Sequence, residues 1–309
     1  MRHLRPLRYV HEVARLGSIR RAAEQLNITA SAVNRRIADL EEELGTKLFD
    51  RLPRGMRPTA AGELLLRHIR AQDADLELVR SQIEELRGLR RGTVRLACSQ
   101  ALAHRFVGQA VASFRKRAPQ VRFQITVCDH AKALAMLAAY EVELILVVGP
   151  PRSADLLVIE TTEQRLVAVM PEGHRLAARQ VIRLQDLASE RLVLPDRSLA
   201  GRRMLDAALQ RRRQDAAPVI ECNSFDLLGQ VLQQEDALSV QFALGAPPLD
   251  GPAQAGLVAR SLDPREVPPA SFVLGQLRDR VLPVAAARFA EAVAASLRAL
   301  SDPAGARAG

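Results

Sequence analysis

Asn34 and Arg35 are the residue pair in this chain best suited to chemistry with a partner. An amide and a guanidinium side by side can hydrogen-bond bidentately to adenine and guanine edges in a DNA major groove. Around them stand Ala30 and Ser31, small enough to let a backbone approach the groove, and Arg36 on the flank. A helix carries them: Val33, Ile37, Leu40 and Leu44 repeat at helical spacing, and a preceding series, Ile19, Ala22, Ala23 and Leu26, does the same before a break at Asn27-Ile28. The spacing predicts two short helices sharing one small core. Ser18 and Thr29 stand where each helix needs an oxygen to accept from its first N–H groups, and Gly17 and Gly45 stand where helices end. Ser18, Arg20 and Thr29, at the helix starts, complete the contact candidates on this unit. The alternative is the solvated face of an ordinary helical hairpin.

The segment that follows narrows the choice. After Gly45, an apolar pair, a Pro/Gly turn and a second extended stretch predict a two-stranded wing carrying Arg51, Arg54 and Arg57, placed for phosphate oxygens or an adjacent minor groove. Residues 1–58 hold 12 Lys plus Arg against 7 Asp plus Glu, over half of the chain's net charge of +9. Such a surplus supplies the salt-dependent part of affinity for DNA. Thr59 can cap a further helix in which Leu65, Ile69, Gln72, Leu76, Val79, Ile83 and Leu86 step alternately by four and three. With six basic and six acidic residues between Thr59 and Arg91, this heptad seam predicts pairing with a second copy of the helix, not packing on a domain of its own chain. Gln72, the polar residue on the seam, sets register or sits partly exposed at a helix crossing. A dimer of DNA-binding units fits two half-sites about a two-fold axis.

The order Gly-Ser, Arg-Ala-Ala-Glu-Gln-Leu, recognition helix, Leu-Glu-Glu-Glu-Leu-Gly, Leu-Phe-Asp-Arg, wing, Thr-Ala-Ala-Gly resembles a LysR-type transcriptional regulator over about the first sixty residues. Where that family often has Gln-Pro this chain has Ala30-Ser31, and Asn34 stands at a frequent Ser, so base contacts do not transfer to those positions; Arg35 does match. The resemblance implies an all-α winged helix-turn-helix domain with a long linker helix, then an α/β effector domain of two subdomains similar to periplasmic binding proteins. It implies a homodimer assembling to a homotetramer on an interrupted dyad of double-stranded DNA, a small-molecule effector, and RNA polymerase as a further partner. The domain boundaries expected are 1–58, 59–91 and 92–309, with subdomain I at about 92–162 and 268–300 and subdomain II at about 163–267.

Beyond an Arg-Arg-Gly joint at Arg90 to Gly92, short apolar runs alternate with helical segments. Strands are expected at Val94–Ala97, Val121–Val127, Val142–Val148, Leu166–Met170, Arg191–Leu194, Val219–Cys222, Ala237–Gln241 and Ser271–Leu277, in a mainly parallel arrangement. Crossings between two sheets are expected near Thr161 to Gln164 and Asp263 to Pro269. Ligands in such folds lie beyond the carboxyl ends of strands, near helix N-termini. That rule nominates Ser99, Gln100, Asp129, His130, Gly149, Asp196, Ser198, Asn223 and Ser224. Ser99 also matches, by position, a hydroxyl residue that the family uses for effectors. For the serines, helix capping is the competing role. Arg105, Arg197, Arg202 and Arg203 nearby favour an acidic effector, although arginine is abundant throughout.

Composition bounds the rest. At 309 residues, 48% hydrophobic, without Trp and with two Tyr, the chain has an aliphatic core. It lacks an apolar run long enough to span a membrane, and Met1-Arg-His-Leu-Arg leads straight into an amphipathic segment, so a cytoplasmic protein without membrane contact is expected. Cys98, Cys128 and Cys222 are odd in number and widely spaced, supporting neither a disulfide framework nor a metal site. Each closes a strand-like run, which leaves a thiol sensor open beside the commoner role of buried small residue. Gly-x-Ser-x-Gly, P-loop, Gly-x-Gly-x-x-Gly and His-Glu-x-x-His patterns are absent, so no enzymatic activity, catalytic residue, cofactor or metal is expected. The competing reading is an architectural DNA-binding protein whose large domain only oligomerises.

Overall fold

The computed structural model describes residues 5–53, 55–87, 91–249 and 251–301, in two compact units, Met1–Arg80 and Ser81–Gly309. Arg54 and Arg90, named above, lie outside the described residues.

In the first unit, α1 (Arg5–Leu16), α2 (Ile19–Leu26) and α3 (Ala30–Glu43) precede a hairpin of β1 (Phe49–Leu52) and β2 (Gly55–Pro58), and α4 (Ala60–Leu86) begins here. Val10, Val13, Ala22, Ala23, Val33, Ile37, Leu48 and Phe49 form the core, joined by Leu66 and Ile69 of α4. Ser18 Oγ accepts from the Arg21 N–H and Thr29 Oγ1 from the Ala32 N–H, so both capping expectations hold. Asn27 takes a left-handed conformation (φ 53°) to close α2, and Gly17 (φ +62°) and Gly45 (φ +64°) turn the chain after α1 and α3.

Two expectations fail along α3 and α4. Leu44, expected on the shared apolar face, is the residue that caps α3 and is 49% exposed, because the helix ends before its side chain can turn inward. The seam of α4 is not wholly a surface for a second copy. Ile69, with Leu66 beside it, is 3% exposed and packs into the core of its own helix-turn-helix unit, while Val79, Ile83 and Leu86 are 49%, 46% and 89% exposed. A run of apolar residues at steps of three and four serves one partner over its first turns and is bare further on.

The second unit contains β3 (Gly92–Cys98), α5 (Gln100–Leu102), a π-turn at Ala103–Val107, α6 (Gly108–Arg117), β4 (Val121–Val127), α7 (His130–Ala138), β5 (Leu144–Val148) and β6 (Leu156–Gln164). Then come β7 (Leu166–Pro171), β8 (Val181–Ile182), α8 (Leu184–Leu187), β9 (Val193–Pro195), α9 (Ala200–Arg211), β10 (Ile220–Cys222), α10 (Phe225–Leu232), β11 (Ser239–Phe242), β12 (Leu257–Leu262), β13 (Ala270–Leu277) and α11 (Val284–Ser301). One sheet has the order β4-β3-β5-β13-β6, the other β11-β7-β12-β8, and the pair β9/β10 reaches the second through a bridge between Leu192 and Leu238.

The sheets are mixed, which corrects the mainly parallel expectation. β3 runs parallel to β4 and β5, but β13 returns antiparallel between β5 and β6, and β7 is antiparallel to β11 and β12. Thr161–Gln164 are not a crossing either: they extend β6 and pair with Val273 to Ala270, leaving Arg165 alone between β6 and β7. β6 escaped the sequence reading because its second half, Glu160-Thr-Thr-Glu-Gln164, is polar, as suits a strand at the rim of a sheet. The second connection runs from Asp263 to Pro269. At this neck Phe242 of one sheet stacks edge-on against Phe272 of the other, 4.8 Å apart. Among the described residues no helix is long and apolar enough to cross a membrane.

Candidate functional site

The first candidate surface lies on α3 and the hairpin. Ala30, Ser31 and Arg35 are exposed, Asn34 is half-buried, and the face they form is opposite Val33 and Ile37. The Thr29 and Ser31 hydroxyls are 3.0 Å apart, so the helix start carries a cluster of hydroxyl and N–H groups. Arg20 and Arg36 are offset by Glu24 and Asp39, whereas Arg35 has neither ion pair nor hydrogen bond among the described residues. The hairpin is pinned to the helices beneath it. Glu41 of α3 accepts from the Leu48 and Phe49 N–H groups at 2.7 and 3.2 Å, and the Met56 N–H donates to Gly17 at 2.8 Å. Arg51 and Arg57 project from it, both exposed, and Arg51 Nη2 donates to Asn34 Oδ1 at 2.7 Å. That last contact was not foreseen, since nothing local in the sequence links two residues seventeen apart.

The second site is a cavity of about 190 Å³ between the two sheets. The structure brings Ser99, Gln100, Asp129, His130, Ser198 and Asn223 to its wall, and leaves Gly149, Asp196 and Ser224 off it. Gly149 (φ +51°) turns the chain after β5, with its N–H on Ser271. Asp196 accepts from the Ser198 N–H at 2.9 Å, and Ser224 caps α10 by accepting from Leu227, so for Ser224 the capping role holds. Asp129 does both: it lines the cavity and accepts from the Lys132 N–H at 2.8 Å to cap α7. Ser99 is held differently. Its Oγ accepts from the Val148 N–H at 3.2 Å and makes no cap bond to α5, so among the described residues the hydroxyl proton has no acceptor.

Gln241 and Phe242, at the end of β11, and Phe225 complete the wall. They were missed, although the rule of strand carboxyl ends, applied to the strand expected at 237–241, points to the first two.

The arginines nearby differ in what they have left to offer. Arg202, 2% exposed, is bound by Asp206 at 2.7 Å, by Glu221 and by the Pro195 carbonyl. Burial lowers its affinity for a proton, but the two carboxylates outweigh that and hold the guanidinium above its ordinary value. Arg197 pairs with Asp206, and Arg105 donates to Ala246 and Gln254. Arg203 donates to main-chain carbonyls at Arg197 and Ser198 and has no carboxylate partner among the described residues. It sits in the first turn of α9, whose N-terminus has no side-chain cap. A helix start with free N–H groups and an uncompensated cation favours an anion. Burial pushes the Cys128 thiol of the cavity wall up, with Asp129 adding and Lys132 opposing, and burial pushes Cys98, in the core and off the wall, up to about 12. Both are therefore protonated thiols at neutral pH. Among the described residues no His/Cys/Asp/Glu group is arranged to hold a metal.

Two family models match this chain: residues 4–63 fit the bacterial regulatory helix-turn-helix protein, lysR family, and residues 87–298 fit the LysR substrate binding domain. The chain belongs to the LysR family. It is a LysR-type DNA-binding transcriptional regulator with an effector-binding domain. Among LysR-family relatives, it is 29% identical over 237 residues to a RuBisCO operon transcriptional regulator of Allochromatium vinosum, covering 77% of this chain and 78% of that one. To the transcriptional activator protein LysR of Escherichia coli it is 28% identical over 258 residues, covering 84% and 82%. A full-length OxyR variant from Pseudomonas aeruginosa shares the fold, with a TM-score of 0.68 at 19% identity, over 95% of this chain and 93% of that one.

Proposed function

We propose that this LysR-family regulator works in the cytoplasm as a homodimer, pairing to a homotetramer, that reads an interrupted dyad in double-stranded DNA and answers to a small acidic effector held between its two sheets. Its domains divide at about residues 58 and 91, and subdomains I and II are built on the five-stranded and four-stranded sheets. Arg35 reads bases, with Ser18, Arg20, Thr29, Ala30, Ser31 and Arg36 around it, and Arg51, Arg54 and Arg57 of the wing meet the backbone. The exposed seam residues Val79, Ile83 and Leu86 take up the second copy, and RNA polymerase is a further partner of the DNA-bound assembly. Recognition, without catalysis, is the whole of its chemistry.

The effector reading rests on one observation: Ser99, whose hydroxyl proton has no acceptor among the described residues, lines the same cavity as the uncapped start of α9 with Arg203. A cavity of 190 Å³ lies below the roughly 300–1,000 Å³ usual for ligand sites, which argues for a small molecule. Binding there favours one relative arrangement of the sheets about the Phe242–Phe272 neck, and the coupling to DNA cannot exceed the effector's differential affinity for the two arrangements.

The test has two parts. Footprinting of the DNA flanking the gene at physiological salt gives a discrete protected dyad that Arg35→Ala abolishes. Thermal melting against a panel of small carboxylates and phosphate esters gives an upward shift for at least one, reduced by Ser99→Ala and Arg203→Ala. A discrete footprint with no melting shift from any compound supports the architectural alternative, with the large domain serving assembly alone.

A further inference from the structure

Asn34 is the adenine candidate of the recognition helix, and its geometry gives it a partner within the chain. Reading adenine bidentately requires Oδ1 to accept from the base N6–H while Nδ2 donates to N7. In this chain one lone pair of Oδ1 already accepts from Arg51 Nη2 at 2.7 Å, which ties the amide's orientation to the arginine. The partner is worth following. Arg51 lies on β1 opposite Met56, whose N–H is tied to Gly17, and the N–H groups of Leu48, just before the strand, and of Phe49, its first residue, are tied to Glu41 of α3. The wing is thus fixed at its base, and Asn34 fixes the arginine that rises from it.

We propose that Asn34 is a positioning residue that holds the Arg51 guanidinium beside the recognition helix, where Arg51 reads a guanine and does more than touch phosphate. The guanidinium offers five N–H groups in a planar fork, with two parallel pairs that match guanine O6 and N7. The two pairs take different hydrogens of Nη2, so a single bond to Asn34 spends one pair and leaves the other intact. An amide also orients the arginine without offsetting its charge. Arg20 and Arg36, in contrast, face Glu24 and Asp39. Arg51 is therefore held by a neutral partner and has no carboxylate against it among the described residues, the combination that a specific contact to an electronegative base edge needs. This reading rests on the proposed DNA face of α3 and the hairpin.

The experiment selects duplexes from a random pool with the full-length protein and compares wild type, Asn34→Ala, Asn34→Asp, Arg51→Ala and the double alanine variant. Circular dichroism and melting confirm the fold of each, which exposed and half-buried polar positions permit. Wild type enriches a motif containing a guanine. Arg51→Ala relaxes preference at that guanine by about 10- to 100-fold. Asn34→Ala relaxes the same position, and the double variant is no worse than Arg51→Ala alone. Asn34→Asp, which keeps an acceptor for Arg51 but loses the amide donor, retains the guanine preference at lower overall affinity. The proposal is overturned if Asn34→Ala relaxes an adenine position while Arg51→Ala only weakens all sequences alike and reduces the salt slope by about one. Failure of wild type to enrich any motif overturns the DNA-reading surface itself, a separate result from a motif that the variants leave unchanged.

Discussion

Gly62 is the test of how the DNA-binding unit is packed, because two known effects predict opposite signs for Gly62→Ala. Gly62 lies in the first turn of α4, where helix propensity alone favours alanine by about 1 kcal/mol. An added Cβ, however, meets the Leu48 carbonyl oxygen at 2.1 Å, its carbon at 3.1 Å and Pro58 Cβ at 3.3 Å. The obstacle is buried backbone and cannot rotate away. For the helix to retreat by about 1 Å, close-packed neighbours must follow. The movement stretches the Thr59 N–H bond to that same Leu48 oxygen, now 2.9 Å, and withdraws Leu66 and Ile69 from the core. A lost hydrogen bond costs about 1 kcal/mol, and overpacking of this kind about 1–3 kcal/mol. After the propensity gain, a net destabilisation of about 1–3 kcal/mol remains. Hydrogen exchange followed by mass spectrometry on the full chain reads this locally, as exchange in peptides from residues 5–69 faster by roughly 5- to 150-fold. Peptides from the effector domain act as the internal control. Slower exchange in the first unit would refute the argument, since it would mean that propensity outweighs a backbone clash.

Val79→Ser with Ile83→Ser removes apolar surface from the bare part of the seam, so the dimer dissociation constant measured by sedimentation rises at least about tenfold. In the same assay Leu66→Ala leaves assembly less affected but costs about 2–5 kcal/mol in the first unit's own stability. Cys98, with its thiol pushed up to about 12, keeps its proton in the folded state above pH 9 while the unfolded chain loses it. Stability is therefore unaffected below about pH 9 and falls by about 1.4 kcal/mol per unit above it. Cys98→Ala flattens that slope in melting curves taken between pH 8 and 10, and an unchanged slope would reject the assignment. Arg202→Gln leaves Asp206 and Glu221 without their shared cation; because Glu221 is 43% and Asp206 22% exposed, the cost is nearer about 1–3 kcal/mol than the full value for a buried pair. Calorimetry of the effector domain's transition checks it.

Where function is written locally, the sequence was easy to read. The caps at Ser18, Thr29 and Thr59, the glycine turns and the apolar repeats of α2 and α3 follow from neighbours three or four residues apart. The second sheet's strands β7 and β11 announce themselves as apolar runs. What escaped depends on residues distant in the chain. β6 is half polar because it lies at a rim, β12 and the two-residue β8 exist only as partners of strands already formed, and the Asn34–Arg51 bond joins two elements. The α4 seam shows the limit most plainly: a heptad pattern states that one face is apolar but not what covers it. Ile69 is covered by its own unit, while Leu86, on the same pattern, is bare.

Arginine use shows the same limit in charge. Forty-four Lys and Arg in 309 residues make a cation near any proposed site close to inevitable, so proximity in sequence carries little information. The partner decides. Arg197 and Arg202 at the cleft are spent on Asp206 and Glu221, and Arg20 and Arg36 on the DNA face are offset by Glu24 and Asp39. Arg35, Arg51 and Arg203 have no carboxylate among the described residues, and each lies on a proposed recognition surface, the last beside an uncapped helix start. A cation already paired gains little from an anionic ligand, because the new contact must first displace the old one. Removing Arg203 should therefore weaken an anionic effector, whereas removing Arg202 should act first on the stability of the domain. A cleft whose ligand affinity depended on Arg202 and ignored Arg203 would require Asp206 and Glu221 to release their arginine when ligand binds.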